Sequence, residues 1–126
     1  MPRPDRTHEL TDTVHRYLAA VANGSVDDLV AFYADDATLE DPVGGEVHIG
    51  KSAIAGFYSA IIGMERETEL VTLRVSGNEA AFHFRLIVAA GDNKMQIEPI
   101  ETMVFNSQGK VTAMKAYWSA ADVKRL

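Results

Sequence analysis

The second half of the chain alternates long apolar-rich runs with short breaks that carry glycine, and this pattern constrains the fold more than any other feature. Thr68 to Val75 is followed by Ser76-Gly77-Asn78, Glu79 to Ala90 by Gly91-Asp92-Asn93, Lys94 to Phe105 by Asn106 to Gly109, and Lys110 to Ser119 completes the set. The breaks are rich in residues that favour tight turns, so the sequence predicts four strands joined by three hairpin-type connections in a long antiparallel meander. Side chains alternate between the faces of a strand. Phe82, Phe84, Leu86 and Val88 therefore share one face and His83 and Arg85 the other. On the next strand Met95, Ile97, Pro99, Glu101, Met103 and Phe105 share a face, where Glu101 is the one ionisable group. Met114, Ala116 and Trp118 share a face of the last.

Helical patterns come first. Residues 1–6 are expected to be loose. Leu10, Val14, Tyr17, Leu18 and Val21 form one stripe of a helix over about 7–22, which Asn23-Gly24 stops as residues tolerant of the left-handed conformation. Ser25 with Asp28 reads as a capping box opening a second helix, with Val26, Leu29, Val30 and Tyr33 inward. A short extended piece at Glu46 to Ile49 precedes a third helix over about 51–62, whose stripe is Ile54, Phe57, Tyr58 and Ile61 and which Gly63 ends. Helices followed by a meander predict an α+β fold: three N-terminal helices against the concave side of a curved, mainly antiparallel sheet, forming a cone. Its lining of Phe, Met, Trp and Leu suits an apolar small molecule.

Between the second and third helices lies YADDATLEDPVGG, Tyr33 to Gly45. Asp35-Asp36 reads as a turn, and Ala37 to Asp41 as a short strand ended by Pro42 and Gly44-Gly45. Ala37 and Leu39 make one face apolar, so Asp41, on that same face, points inward. Two carboxyls, Asp41 and Glu101, and three tyrosines, Tyr17, Tyr33 and Tyr58, thus face an interior in which the predicted inward faces carry no Lys or Arg. A buried carboxyl without a cation holds its proton to higher pH. The chemistry such a set allows is a proton shuttle: one carboxylate as base, with neutral donors for the oxyanion it creates.

Composition removes other classes. A chain of 126 residues is expected to form one domain with its own core. A net charge of -6, with no basic run, argues against nucleic acid and anionic membrane surfaces as partners. There is no cysteine, so neither a disulfide frame nor thiol chemistry. The polar start, MPRPDRTHEL, lacks a signal-peptide core, and a cytoplasmic location is expected. His8, His15, His48 and His83 lack metal-ligand spacing, so no metal is expected, and neither a Ser-His-Asp signature nor a phosphate loop is present.

YADDATLEDPVGG, the following HIGKSAIAGFY and MKAYW near the end resemble the bacterial Δ5-3-ketosteroid isomerases of the cone-shaped NTF2-like (SnoaL-like) superfamily. The likeness runs from about Tyr17 to Trp118. It implies Asp41 as general base, Tyr17 as oxyanion-hole tyrosine, and Glu101 where the family has a protonated aspartic acid. It also implies that Tyr33 and Tyr58 extend a hydrogen-bond chain to Tyr17, and that Phe84, Met114 and Trp118 line the pocket, beside Phe82, Leu86 and Ala116 on the same strand faces. A steroid substrate, a homodimer formed through the sheet and no cofactor are further implications. Glu101 departs from the family by one methylene, which bears on substrate fit and rate more than on reaction type. A cyclase or epoxide hydrolase on the same cone, and a non-catalytic binder of an apolar ligand, remain open alternatives from the residues alone. The hydrolase would need a cation between two acids, and Arg74 and Arg85 are expected on other faces.

Overall fold

The computed structural model describes residues 5–126. Of the segment expected to be loose, residues 1–4 lie outside the described residues. Asp5 and Arg6 are tied down: Asp5 Oδ1 accepts from the Thr7 amide at 2.9 Å, and Arg6 Nη1 donates to the Asn106 carbonyl at 3.0 Å. Helix α1 (Thr7–Asn23) buries Leu10, Val14, Tyr17, Leu18 and Val21, the whole predicted stripe. Gly24 follows it in an extended conformation, not a left-handed one. A glycine is needed there for a different reason: a Cβ would meet the Ala20 carbonyl oxygen at 2.8 Å. Helix α2 (Val26–Val30) opens with the expected reciprocal cap, the Ser25 hydroxyl accepting from the Asp28 amide and the Asp28 carboxylate from the Ser25 amide.

The chain then departs from the sequence reading. Tyr33 is not on a helix: it is the first residue of strand β1 (Tyr33–Glu40), where it pairs with Val111. Asp35-Asp36 is not a separate turn but lies where the register of β1 shifts between Tyr33 and Thr38. The strand that begins at Val111 claims this backbone: the Val111 amide donates to the Phe32 carbonyl at 2.8 Å, which ends helix α2 early. Asp41 lies just beyond β1 in a bend, with Ala37 and Leu39 fully buried before it. Strand β2 (Val47–Ile49) folds back on β1, placing His48 opposite Leu39. Helix α3 (Lys51–Ile62) starts at Gly50, which has φ of 88°, a conformation that favours glycine.

The predicted strands form, with changed bounds: β3 (Glu65–Ser76), β4 (Glu79–Ala90), β5 (Asn93–Ile97), β6 (Ile100–Phe105) and β7 (Val111–Tyr117). The run expected as one strand from Lys94 to Phe105 is interrupted at Glu98-Pro99, because proline has no amide to give the ladder. The register nevertheless continues across the gap, Ile97 facing Leu86 and Glu101 facing Phe82, so the predicted face is intact. A short 3₁₀ turn (Ala120–Asp122) and strand β8 (Val123–Arg125), which pairs with β5, have no counterpart in the sequence reading.

The sheet runs β2-β1-β7-β6-β4-β5-β8, with β3 on the other edge of β4. It is mixed: β1 and β7 are parallel, and the other pairs are antiparallel. Two helices precede it in the chain, and α3 follows β2, so the three helices are not all N-terminal to the strands. Helix α1 packs against β3 and β4 and α3 against β1 and β2, while α2 packs against α1 and α3. No helix among the described residues is long and apolar enough to cross a membrane.

Leu39 is fully buried between His48 on β2 and Met114 on β7. Leu39→Ala is expected to destabilise the protein by about 2–5 kcal/mol through lost burial and an unfilled void. Equilibrium urea unfolding measures this as a lower midpoint at unchanged slope.

Candidate active site

The inner face of the sheet is a ladder of cross-strand rows. Phe82, Glu101 and Ala116 form one row; Leu70 and Phe84 form the next, with the Phe84 amide donating to the Pro99 carbonyl at 3.3 Å; Thr68, Leu86 and Ile97 form the third. The first row backs on to packed core, where Ala80, Met103, Phe105 and Val111 are buried. Over the second and third rows the helices stand off the sheet and leave a cavity of ≈ 180 Å³. Tyr17 and Val21 of α1, Phe57, Tyr58 and Ile61 of α3, and Phe84, Leu86, Ile97 and Pro99 of the sheet form its walls, with Glu101, Asp41 and Trp118. Among the described residues, no Lys or Arg lines it.

Most of the residues expected at the site meet here: Asp41, Tyr17, Glu101, Tyr58, Phe84, Leu86 and Trp118. Tyr33, Phe82, Met114 and Ala116 do not line the cavity. They share the inner side but lie in the packed core, all at 2% exposure or below, because the neighbouring rows close over them. Phe82 instead supports Tyr17, their rings meeting edge to face at 6.4 Å. The walls the sequence reading did not assign to the site are Val21, Phe57, Ile61, Ile97 and Pro99. Their inward stripes and faces were legible, but which rows stay open depends on how far the helices stand from the sheet.

The three tyrosine hydroxyls form a buried chain, Tyr17 to Tyr58 at 2.8 Å and Tyr58 to Tyr33 at 2.6 Å. Three O–H groups share two links, so one proton is left to point outward. If the donors run from Tyr33 towards Tyr17, that proton is directed from Tyr17 into the cavity, and the links behind it strengthen it as a donor. Burial pushes all three phenols up from their ordinary range, so they act as neutral donors.

The two carboxyls have unlike environments. Glu101 is 3% exposed, and its Oε1 is enclosed with no hydrogen-bond partner. Burial drives its pKa well above the glutamate range, the charge of Asp41 raises it further, and the nearby Tyr17 hydroxyl opposes them. Asp41 is half-buried and its Oδ1 accepts from Trp118 Nε1 at 2.6 Å. Burial raises its pKa too, but the Trp118 hydrogen bond and the charge of His48 hold the rise back. The first proton of this coupled pair therefore leaves Asp41, and the resulting charge makes Glu101 harder to ionise. Two carboxyls of unlike environment thus face the same apolar space.

Arg85, whose position bears on the hydrolase alternative, lies on the outer face, where it pairs with Glu69 and Glu98. No group of three or more His, Cys, Asp or Glu among the described residues is placed to hold a metal ion.

Comparison with known proteins agrees with this architecture. The SnoaL-like domain model matches residues 14–114. The steroid Delta-isomerase of Nocardioides simplex is 45% identical over 115 residues, covering 91% of this chain and 94% of that protein. The solved structure of SalBIII, an epoxide hydrolase/cyclase-like enzyme with a role in pyran ring formation in the polyether salinomycin, superposes with a TM-score of 0.88, covering 94% of this chain and 97% of its own at 22% identity. That last likeness is one of fold. With the family model spanning most of its helices and strands, and a relative aligned along nearly its whole length, the protein belongs to the SnoaL-like family as a relative of the steroid Delta-isomerases.

Proposed function

We propose that this protein is a cofactor-independent steroid Delta-isomerase that converts 3-oxo-Δ5-steroids to their conjugated Δ4 isomers. The observation that carries the reading is the pair of unlike carboxyls, Asp41 and Glu101, facing one apolar cavity that among the described residues has no cation in its walls. The relationship to the steroid Delta-isomerase supports the choice of substrate.

In this reading the steroid enters with its ring A oxygen deepest, towards Glu101 and Tyr17. Ionised Asp41 takes a proton from C4, which the adjacent carbonyl acidifies. The electron pair released from the C4–H bond conjugates through C3, and the C3 oxygen becomes a dienolate oxyanion. Tyr17 and neutral Glu101 donate hydrogen bonds to it; an apolar, water-poor site makes such donors strong. Asp41 then returns the same proton to C6 as the Δ4 double bond forms. One base serves both carbons, so no second base is required.

The test is direct. Adding a 3-oxo-Δ5-steroid to the protein should give the ultraviolet absorbance of the conjugated enone at a rate proportional to enzyme. Displacement of a fluorescent steroid without any enone signal would assign the cavity to ligand binding alone. Tyr17→Phe removes one oxyanion donor and is expected to lower kcat by about 10²–10³-fold with a much smaller change in KM. Steady-state kinetics separate the two.

A homodimer formed through the outer face of the sheet belongs to the same proposal. Ile100 and Tyr117 are paired across β6 and β7 on that face, and are 51% and 46% exposed. Sedimentation should show a dimer that Tyr117→Asp weakens.

A further inference from the structure

The row beyond the cavity carries two arginines. Following the ladder outward from Leu86 and Ile97, the next inner-face row reads Arg66 on β3, Val88 on β4, Met95 on β5 and Arg125 on β8. Opposed residues of antiparallel strands point to the same side. Arg66 was not among the inward residues legible in the sequence, because β3 begins at Glu65 and not at Thr68. Arg125 was hidden with β8. These are the exceptions to an inner face otherwise free of cations on the rows described.

Neither arginine has an acidic partner among the described residues, whereas Arg6, Arg16 and Arg85 each pair with one. Arg66 donates from Nη2 to the Gly24 carbonyl at 3.3 Å, where α1 ends, while Nε and Nη1 are enclosed with no acceptor. Enclosed guanidinium donors without an acceptor are costly, and a carboxylate satisfies two of them at once. The two Cα atoms are separated by three interstrand steps, about 14 Å at about 4.8 Å each, a gap within the combined reach of two arginine side chains. Between them on the same row lie half-buried Val88 and the exposed Met95, one row beyond Leu86 and Ile97 of the cavity wall.

Distance fixes which part of a ligand reaches this row. From Phe82, opposite Glu101, to Val88 is six strand residues, about 20 Å at about 3.3 Å each. A four-ring skeleton with its oxygen at Glu101 ends short of that, near Leu86 and Ile97. What reaches the arginines is a side chain extending from the far ring. We infer that Arg66 and Arg125 form a subsite for an anionic group, a carboxylate on the side chain of a 3-oxo steroid, at the end of the ligand farthest from Glu101. The inference rests on the orientation adopted under the proposed function, and it selects acidic steroids over neutral ones.

Binding of a saturated analogue separates the subsite from the chemistry. A 3-oxocholanoic acid and its methyl ester both lack the double bond that isomerises, and the fluorescence of Trp118, the one tryptophan, reports their occupancy of the cavity. The acid is expected to bind about tenfold more tightly than the ester, the worth of one charge-assisted hydrogen bond at a partly enclosed site. The ratio should fall to near one in the Arg66→Gln, Arg125→Gln double variant. Equal affinity for acid and ester in the unmodified protein, or an undiminished preference in the double variant, overturns the subsite. Should Arg66→Gln fail to fold, Arg125→Glu at its exposed position decides: the preference must shrink, and an unchanged ratio overturns the proposal. A protein that prefers the acid yet yields no enone from a 3-oxo-Δ5-steroid keeps the subsite and loses the isomerase reading. One that yields enone without preferring the acid does the reverse.

Discussion

Asp41→Asn is expected to reduce kcat for a 3-oxo-Δ5-steroid by on the order of 10⁴-fold, the upper range of what a positioned general base supplies. Among the described residues no other carboxyl lines the cavity except Glu101, whose pKa burial pushes well above the glutamate range. An asparagine preserves the shape and can still accept from Trp118, so steroid affinity should change little while turnover collapses. Retention of near-normal turnover would remove Asp41 as the base. The pH profile adds a second check. Burial raises the pKa of Asp41 above the aspartate range, and activity requires its ionised form. The acid limb of kcat/KM should therefore lie above the ordinary aspartate value, and should move to still higher pH in Trp118→Phe, which removes the hydrogen bond that favours the carboxylate.

The second large effect belongs to Glu101. Glu101→Leu removes an oxyanion donor and is expected to cost about 10²–10³-fold in kcat, equivalent to about 3–4 kcal/mol of transition-state stabilisation. Glu101→Gln keeps an N–H donor that does not titrate. It should retain more activity than the leucine variant and lose the basic limb that Glu101 ionisation gives the wild type. Glutamate reaches one methylene farther than the aspartic acid implied by resemblance at this position. If that reach is matched to this cavity, Glu101→Asp loses activity although it keeps the acid.

Glu101 also makes stability depend on pH, with a definite sign. Its folded pKa is raised above the unfolded value, so the folded protein keeps a proton that the unfolded chain releases. Its contribution is complete below the unfolded pKa of about 4.3, falls as pH rises by up to about 1.4 kcal/mol per unit, and levels off once the folded carboxyl ionises. Glu101→Gln should lack this share of the slope, and urea unfolding across the pH range measures the difference. A wild-type protein whose stability rose through this window relative to the variant would mean that Glu101 is folded as a carboxylate. A direct measurement of the Glu101 pKa with a phenolic oxyanion mimic bound would test the same point at the atom concerned.

The elements show why some of this was legible in the sequence. The stripe on α1 and the alternation on β4, β6 and β7 are local patterns, and each period assigns an inward side without reference to any neighbour. The Ser25–Asp28 cap is local as well. Tyr33 was misplaced because its stretch continues a helical stripe, and only pairing with Val111, far along the chain, makes it a strand residue. The break at Glu98-Pro99 follows from proline, but the unbroken register on both sides of it comes from β4. Arg66 and Arg125 belong to the inner face only because β3 starts early and β8 pairs with β5.

What the amino-acid order settled alone is the alternation along α1, β4, β6 and β7, and hence that Tyr17, Glu101 and most of the apolar lining share one side. What tertiary structure decided is depth along that side. The distance between helices and sheet left the rows at Phe84 and Leu86 open and closed those around Phe82 and Met114. It left Glu101 Oε1 without a hydrogen-bond partner and gave Asp41 the indole of Trp118. Residue type fixes that a carboxyl can hold or release a proton. Which of two does so depends on the solvent and dipoles around each, and those are supplied by segments remote in the chain.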